Sequence, residues 1–148
     1  MIDVQNSSKL IRLELPATYK YLNVLGACFT EILARENDVR DPEITTYNIQ
    51  LSVHELCTNI IQHAYVQNTG DERISITIEG HAFPRRLVVQ IFDTGEPFDQ
   101  SQVKEPDLDH GQEHGYGLFL IRSLMNEVTY TRLPEGNCWR LVKILEGA

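Results

Sequence analysis

From Arg73 to Glu79 apolar and polar residues alternate without a break: Ile74, Ile76 and Ile78 share one face, and Ser75 and Thr77 share the other. Successive side chains point to opposite faces of a strand, so the pattern predicts a strand with one face packed and one in water. Leu87 to Phe92 reads as a second strand, more continuously apolar, which predicts a central position in a sheet. Only a short loop around His81 to Arg85 joins the two, and so short a connection implies an antiparallel pair. Another pair closes the chain, Glu127 to Arg132 and Cys138 to Leu145, separated by the turn Pro134-Glu135-Gly136-Asn137. Strands that arrive in hairpins argue against an alternating parallel α/β fold.

Helical patterns fill most of the rest. Leu10 to Leu15 predicts a first strand, stopped by Pro16. Leu22, Leu25, Phe29 and Ile32 then recur with helical spacing. The period returns from Glu43 to Val66, where Ile49, Val53, Leu56, Ile60 and Ala64 form one stripe, and Asn68-Thr69-Gly70-Asp71 ends it. Tyr116 to Met125 predicts a third helix, with Leu118, Ile121 and Met125 on one side. The order β-α-α-β-β-loop-α-β-β predicts an α+β two-layer sandwich: a mixed, mostly antiparallel sheet of about five strands with three helices on one face. No repeat or Pro/Gly/Ser linker interrupts the chain, so residues 1–148 read as a single domain.

Charge and composition narrow the function classes. The formal charge of −8 argues against direct nucleic-acid binding, which needs clustered positive charge. It permits a basic protein partner or a metal-chelated anion. No apolar run approaches the ~20 residues of a membrane span, and Met1 to Asn6 lacks the pattern of a signal peptide. Cys28, Cys57 and Cys138 are scattered and odd in number, which suits a reducing cytoplasm.

Three sets of residues can carry chemistry. Glu55, Asn59 and His63 recur every four residues, so they form a polar stripe along one side of the second helix. Glu55 and Asn59 lie roughly 95–135° from the apolar stripe, at the edge of the packed face. The same pattern also describes a solvated helix face. Asp93-Thr94-Gly95 sets an acid at a strand end, either as a turn starter or as a carboxylate offered to a ligand N–H, with Gly95 allowing close approach. Gly115-Tyr116-Gly117 opens the third helix, where bare N–H groups attract anions or a flexible loop merely ends. Between them, Asp93 to Gly115 is polar and long, as functional loops often are.

As an ordered set these segments resemble the GHKL ATPases, the group of gyrase, the ninety-kilodalton heat-shock chaperone, histidine kinases and the mismatch-repair MutL proteins. The resemblance is closer to one branch, the anti-sigma-factor serine/threonine-protein kinases of partner-switching systems. It is carried by Glu55-Leu56-Cys57-Thr58-Asn59-Ile60-Ile61-Gln62-His63-Ala64-Tyr65, by Asp93-Thr94-Gly95-Glu96-Pro97-Phe98-Asp99, by Gly115-Tyr116-Gly117-Leu118-Phe119-Leu120-Ile121 and by Gly136-Asn137-Cys138-Trp139-Arg140-Leu141. It implies a Bergerat-type fold that binds ATP and Mg²⁺. Glu55 would accept the proton of the attacking hydroxyl. Asn59 would ligate Mg²⁺. Asp93 would accept the exocyclic amine of adenine, with Gly95 and Phe98 bordering the base. Gly115, Tyr116, Gly117 and Leu118 would cradle phosphates by backbone N–H. His63 and His114 would lie near the nucleotide, and Gln100 to His114 would form a lid. The resemblance further implies a homodimer that holds a sigma factor and phosphorylates an anti-sigma-factor antagonist. The alternative is an ATP-binding module that switches partners without phosphoryl transfer.

The chain departs from the wider group at three places. Pro97 stands where a glycine is common, Glu113-His114 precede the glycines, and Gly136-Asn137 replaces a Gly-Thr pair, putting an amide where a base-contacting hydroxyl is expected. The histidines His54, His63, His110 and His114 match no zinc spacing. Trp139, Phe119 and Phe29 read as core packing rather than a base-stacking set.

Overall fold

The computed structural model describes residues 9–65, 69–99 and 117–146. Its strands are β1 (Lys9–Pro16), β2 (Arg73–Ala82), β3 (Arg85–Asp93), β4 (Glu127–Leu133) and β5 (Gly136–Ile144). They form one sheet in the order β1-β2-β3-β5-β4. Every pairing is antiparallel, so the sheet carries no parallel pair where a mixed one was expected. The central place expected for the apolar second strand of the first hairpin is the place β3 occupies.

Register explains the packed face. Leu13, Ile76, Ile91, Trp139 and Tyr130 stand in one cross-strand row. Asp93, Asn137 and Arg132 stand in a row two residues further along the same face. That second row is polar, and it includes Asp93, one of the candidate site residues. The β4–β5 turn is shorter than the turn residues predict: Leu133 already pairs with Gly136, so Gly136 and Asn137 are the first residues of β5.

Helices α1 (Leu22–Ala34), α2 (Pro42–Asn59) and α3 (Gly117–Leu124) cover that face. Pro42 starts α2, where its missing N–H has no intrahelical acceptor to lose. Leu25, Phe29, Ile49, Val53 and Leu56 meet Ile76, Val89, Ile91 and Leu141 in one core, and Leu118 and Ile121 extend it under α3. Each such side chain contributes about 1.5–3 kcal/mol by leaving water. Instead of continuing as α-helix to Val66, α2 gives way to a π-helical turn, Ile60–Ala64, and Val66 itself lies outside the described residues. Among the described residues no helix is long and apolar enough to cross a membrane.

Candidate active site

The acid and amide of α2 meet the first residue of α3. A Cβ placed on Gly117 would lie 2.9 Å from Asn59 Nδ2 and 3.6 Å from Glu55 Oε2. Four-residue spacing on α2 puts Glu55 and Asn59 on one side, and the absence of a side chain at Gly117 lets the tip of α3 reach them. The first N–H groups of a helix have no intrahelical acceptor and sit at the positive end of its dipole. An acid, an amide and the backbone N–H groups that open α3 therefore converge here. Leu118, also expected at this tip, is 6% exposed and belongs to the core, so its backbone alone can serve a ligand.

Asp93 ends β3 and is 4% exposed. Its Oδ1 accepts from the Gly95 N–H at 2.9 Å and from Asn137 Nδ2 at 2.7 Å. Its Oδ2 is buried with no hydrogen-bond partner among the described residues. Burial pushes the Asp93 carboxyl above its ordinary range, and the hydrogen bonds from Asn137 and Gly95 and the charge of Arg132 offset that only in part. The neighbouring Cys57 thiol is pushed up to about 12, by burial first and by the Asp93 charge second. A buried acceptor without a donor is costly, and such groups mark ligand sites.

The loop after Asp93 is tied to the end of α2. Glu96 N–H donates to the Ala64 carbonyl at 2.8 Å. A Cβ on Gly95 would lie 2.4 Å from that same oxygen, so only glycine fits. The Tyr65 hydroxyl accepts from Thr94 N–H at 2.8 Å and donates to the Arg73 carbonyl at 2.7 Å. Ala64 is the last residue of the π-turn, so its carbonyl has no intrahelical donor and is satisfied by the loop.

Of the other expected residues, Phe98 is half-buried and packs edge-on against Trp139 and Tyr130, with ring centroids 4.9 Å and 5.5 Å away. His63 is exposed on the π-turn. His114, Gly115, Tyr116, Glu113 and the segment Gln100 to His114 lie outside the described residues. Phe29 and Trp139 are core residues as expected, whereas Phe119 is 45% exposed and does not join them. Asn137 is set against Asp93, with its side-chain nitrogen engaged by protein acceptors. Sequence reasoning placed Asn137 in a turn and so missed this contact. The signal was present: Trp139 and Leu141 face the core, and strand alternation puts Asn137 on their side.

Residues 15–143 match the family of histidine kinase-like ATPase domains. Serine-protein kinase RsbW of Staphylococcus epidermidis is 33% identical over 138 residues, which cover 85% of this chain and 81% of the relative. Serine-protein kinase RsbW of Bacillus subtilis is 31% identical over 134 residues, covering 84% and 79%. Two solved structures share the fold. The RsbU and RsbW domains of a Mycobacterium tuberculosis protein align with a TM-score of 0.68 at 16% identity, over 95% of this chain and 33% of that one. A blue-light activated histidine kinase of Erythrobacter litoralis aligns with a TM-score of 0.55 at 22% identity, over 88% of this chain and 42% of that one.

Proposed function

This chain belongs to the family of histidine kinase-like ATPase domains, and from that premise we propose that it is an ATP-dependent serine/threonine protein kinase of a partner-switching system. In this reading it acts in the cytoplasm as a homodimer, holds a sigma factor and phosphorylates that factor's antagonist. The observation that carries the nucleotide site is the buried Asp93 Oδ2, an acceptor with no hydrogen-bond partner among the described residues, in a fold that also brings Glu55 and Asn59 against Gly117.

The residues present fit the nucleotide. Asp93 Oδ2 accepts an N–H such as the exocyclic amine of adenine, and Gly95 lets the backbone lie close to the base. Phe98 borders the base from the sheet side. The N–H groups of Gly117 and Leu118 receive phosphate oxygens, joined by Gly115 and Tyr116, with His63 and His114 near the nucleotide. Asn59 offers an amide oxygen, a hard ligand suited to Mg²⁺. Mg²⁺ bound there supplies charge neutralisation across the phosphates. Glu55 accepts the proton of a Ser or Thr hydroxyl on the antagonist. As that oxygen bonds to the γ-phosphorus, the bond from phosphorus to the bridging oxygen breaks, and ADP leaves with the electron pair.

Incubation of the chain with labelled ATP and its cognate antagonist tests this. Transfer to a Ser or Thr of the antagonist that disappears in Glu55→Ala, with ATP binding retained, is the expected result. Binding without transfer in the unaltered chain identifies a partner switch that moves no phosphate.

A further inference from the structure

Asn137 is 2% exposed and stands directly across from Asp93 in the β3–β5 register. Its partners fix which way its amide points. Oδ1 accepts from the Tyr130 hydroxyl and from Arg132 Nη1, the latter at 3.1 Å. Nδ2 faces Asp93 Oδ1 at 2.7 Å, Glu96 O at 2.9 Å and Gly95 O at 3.3 Å. A flipped amide would set an oxygen against three oxygens and a nitrogen against two donors. Both hydrogens of Nδ2 are thus engaged by the protein, and none is left for a ligand.

The consequence falls on Asp93. With Gly95 N–H and Asn137 Nδ2 both on Oδ1, the carboxylate presents Oδ2 with no partner among the described residues. We propose that Asn137 is a positioning residue for nucleobase choice, which rests on the reading of Asp93 as the base-contacting acid. By engaging Oδ1 it holds Asp93 as an ionised acceptor at Oδ2, so the pocket takes a 6-aminopurine and refuses a 6-oxopurine. An ionised carboxylate only accepts, whereas a protonated one can also donate and would suit the 6-oxo oxygen. The charged and titratable groups packed against Asp93 among the described residues are Arg132 from β4, which favours the ionised form, and the Cys57 thiol from α2.

The test measures ADP, GDP and IDP affinity by calorimetry with the full chain across a pH series from acid to neutral, because burial raises the Asp93 carboxyl. Unaltered protein is expected to prefer ADP by roughly 100-fold or more, as sites built around one polar contact do. Asn137→Leu cuts that ratio by about 10-fold or more, because Oδ1 keeps the Gly95 N–H and loses its side-chain donor. Asn137→Asp keeps the shape and serves if the leucine variant does not fold. It sets two carboxyls 2.7 Å apart that must share a proton, so its ADP affinity begins to fall at higher pH than that of the unaltered protein. Equal weakening of all three nucleotides with an unmoved pH profile, or no change at all, overturns the proposal. Absence of ADP binding by the unaltered protein overturns instead the reading of Asp93, and this proposal with it.

Discussion

Gly95 rests on the main chain of Ala64 so closely that a Cβ there would sit 2.4 Å from the Ala64 carbonyl oxygen. The contact joins the loop that follows the strand-end acid to the wide last turn of α2, and the Glu96-to-Ala64 hydrogen bond seals it. Gly95→Ala must push backbone from backbone, because no side-chain tip can swing away. The expected loss is about 1–3 kcal/mol of stability, in the range of other overpacked sites. Adenine nucleotide affinity falls with it. Urea unfolding and calorimetric titration with ADP check both; unchanged values in both would show that the loop relaxes freely.

Asp93→Asn separates stability from binding. A carboxyl whose folded pKa lies above its ordinary value adds stability below that ordinary value and loses it as pH rises through the raised one. At neutral pH the ionised Asp93 therefore costs stability. The amide removes that charge and keeps an oxygen for Gly95 and Asn137. The variant is expected to be more stable than the unaltered protein by on the order of 1 kcal/mol at neutral pH, with a smaller gain near pH 4. ADP binding is lost. Urea titrations at the two pH values read the first effect and calorimetry the second.

Gly117→Ala should cost binding rather than stability. Gly117 is the first residue of α3, where alanine's interior helix preference counts for little, and the atom a Cβ would crowd is a side-chain tip, so stability is expected to change little. That Cβ would meet Asn59 Nδ2 at 2.9 Å and must displace that amide. ADP affinity measured with Mg²⁺ is expected to drop about 10-fold or more, and the drop should shrink when Mg²⁺ is withheld. A uniform drop in both conditions would place the damage at the phosphates rather than at Asn59.

Tyr65→Phe removes one hydroxyl and strands two backbone groups, the Thr94 N–H and the Arg73 carbonyl. Both bonds are part-buried and their backbone partners belong to exposed residues, so water replaces some of what is lost. A fall in stability of about 0.5–1.5 kcal/mol is expected, read from the denaturation midpoint. Because Thr94 follows Asp93 directly, ADP affinity weakens as well. A variant that loses stability and keeps full affinity would show that Asp93 is held without this strap.

Much of the architecture was legible because one-sided burial writes a period into the chain. Ile74, Ile76 and Ile78 announced β2, and Leu25, Phe29, Ile49 and Val53 announced two of the helices that cover the sheet. The convergence of Glu55 and Asn59 was legible only up to their shared side of α2; the arrival of Gly117 beside them is a tertiary fact. Asn137 was hidden by its neighbours, since Pro134, Glu135, Gly136 and asparagine all favour turns, while the hairpin closed in two residues. The π-turn was hidden for a different reason. Ile60 and Ala64 keep helical spacing, and a single i→i+5 turn does not disturb that stripe.

The widened turn at the end of α2 acts as a gauge block. In the proposed reading, a nucleotide with a fixed covalent reach from its base to its terminal phosphate would have to match the spacing that the fold sets between Asp93 and Asn59. One backbone hydrogen bond, from the Glu96 N–H to the Ala64 carbonyl, closes the measuring frame at its corner. Inserting or deleting a single residue between Asn59 and Tyr65 would miscalibrate the frame and shift His63, which lies in the same turn, while the sequence around Asp93 stays unaltered.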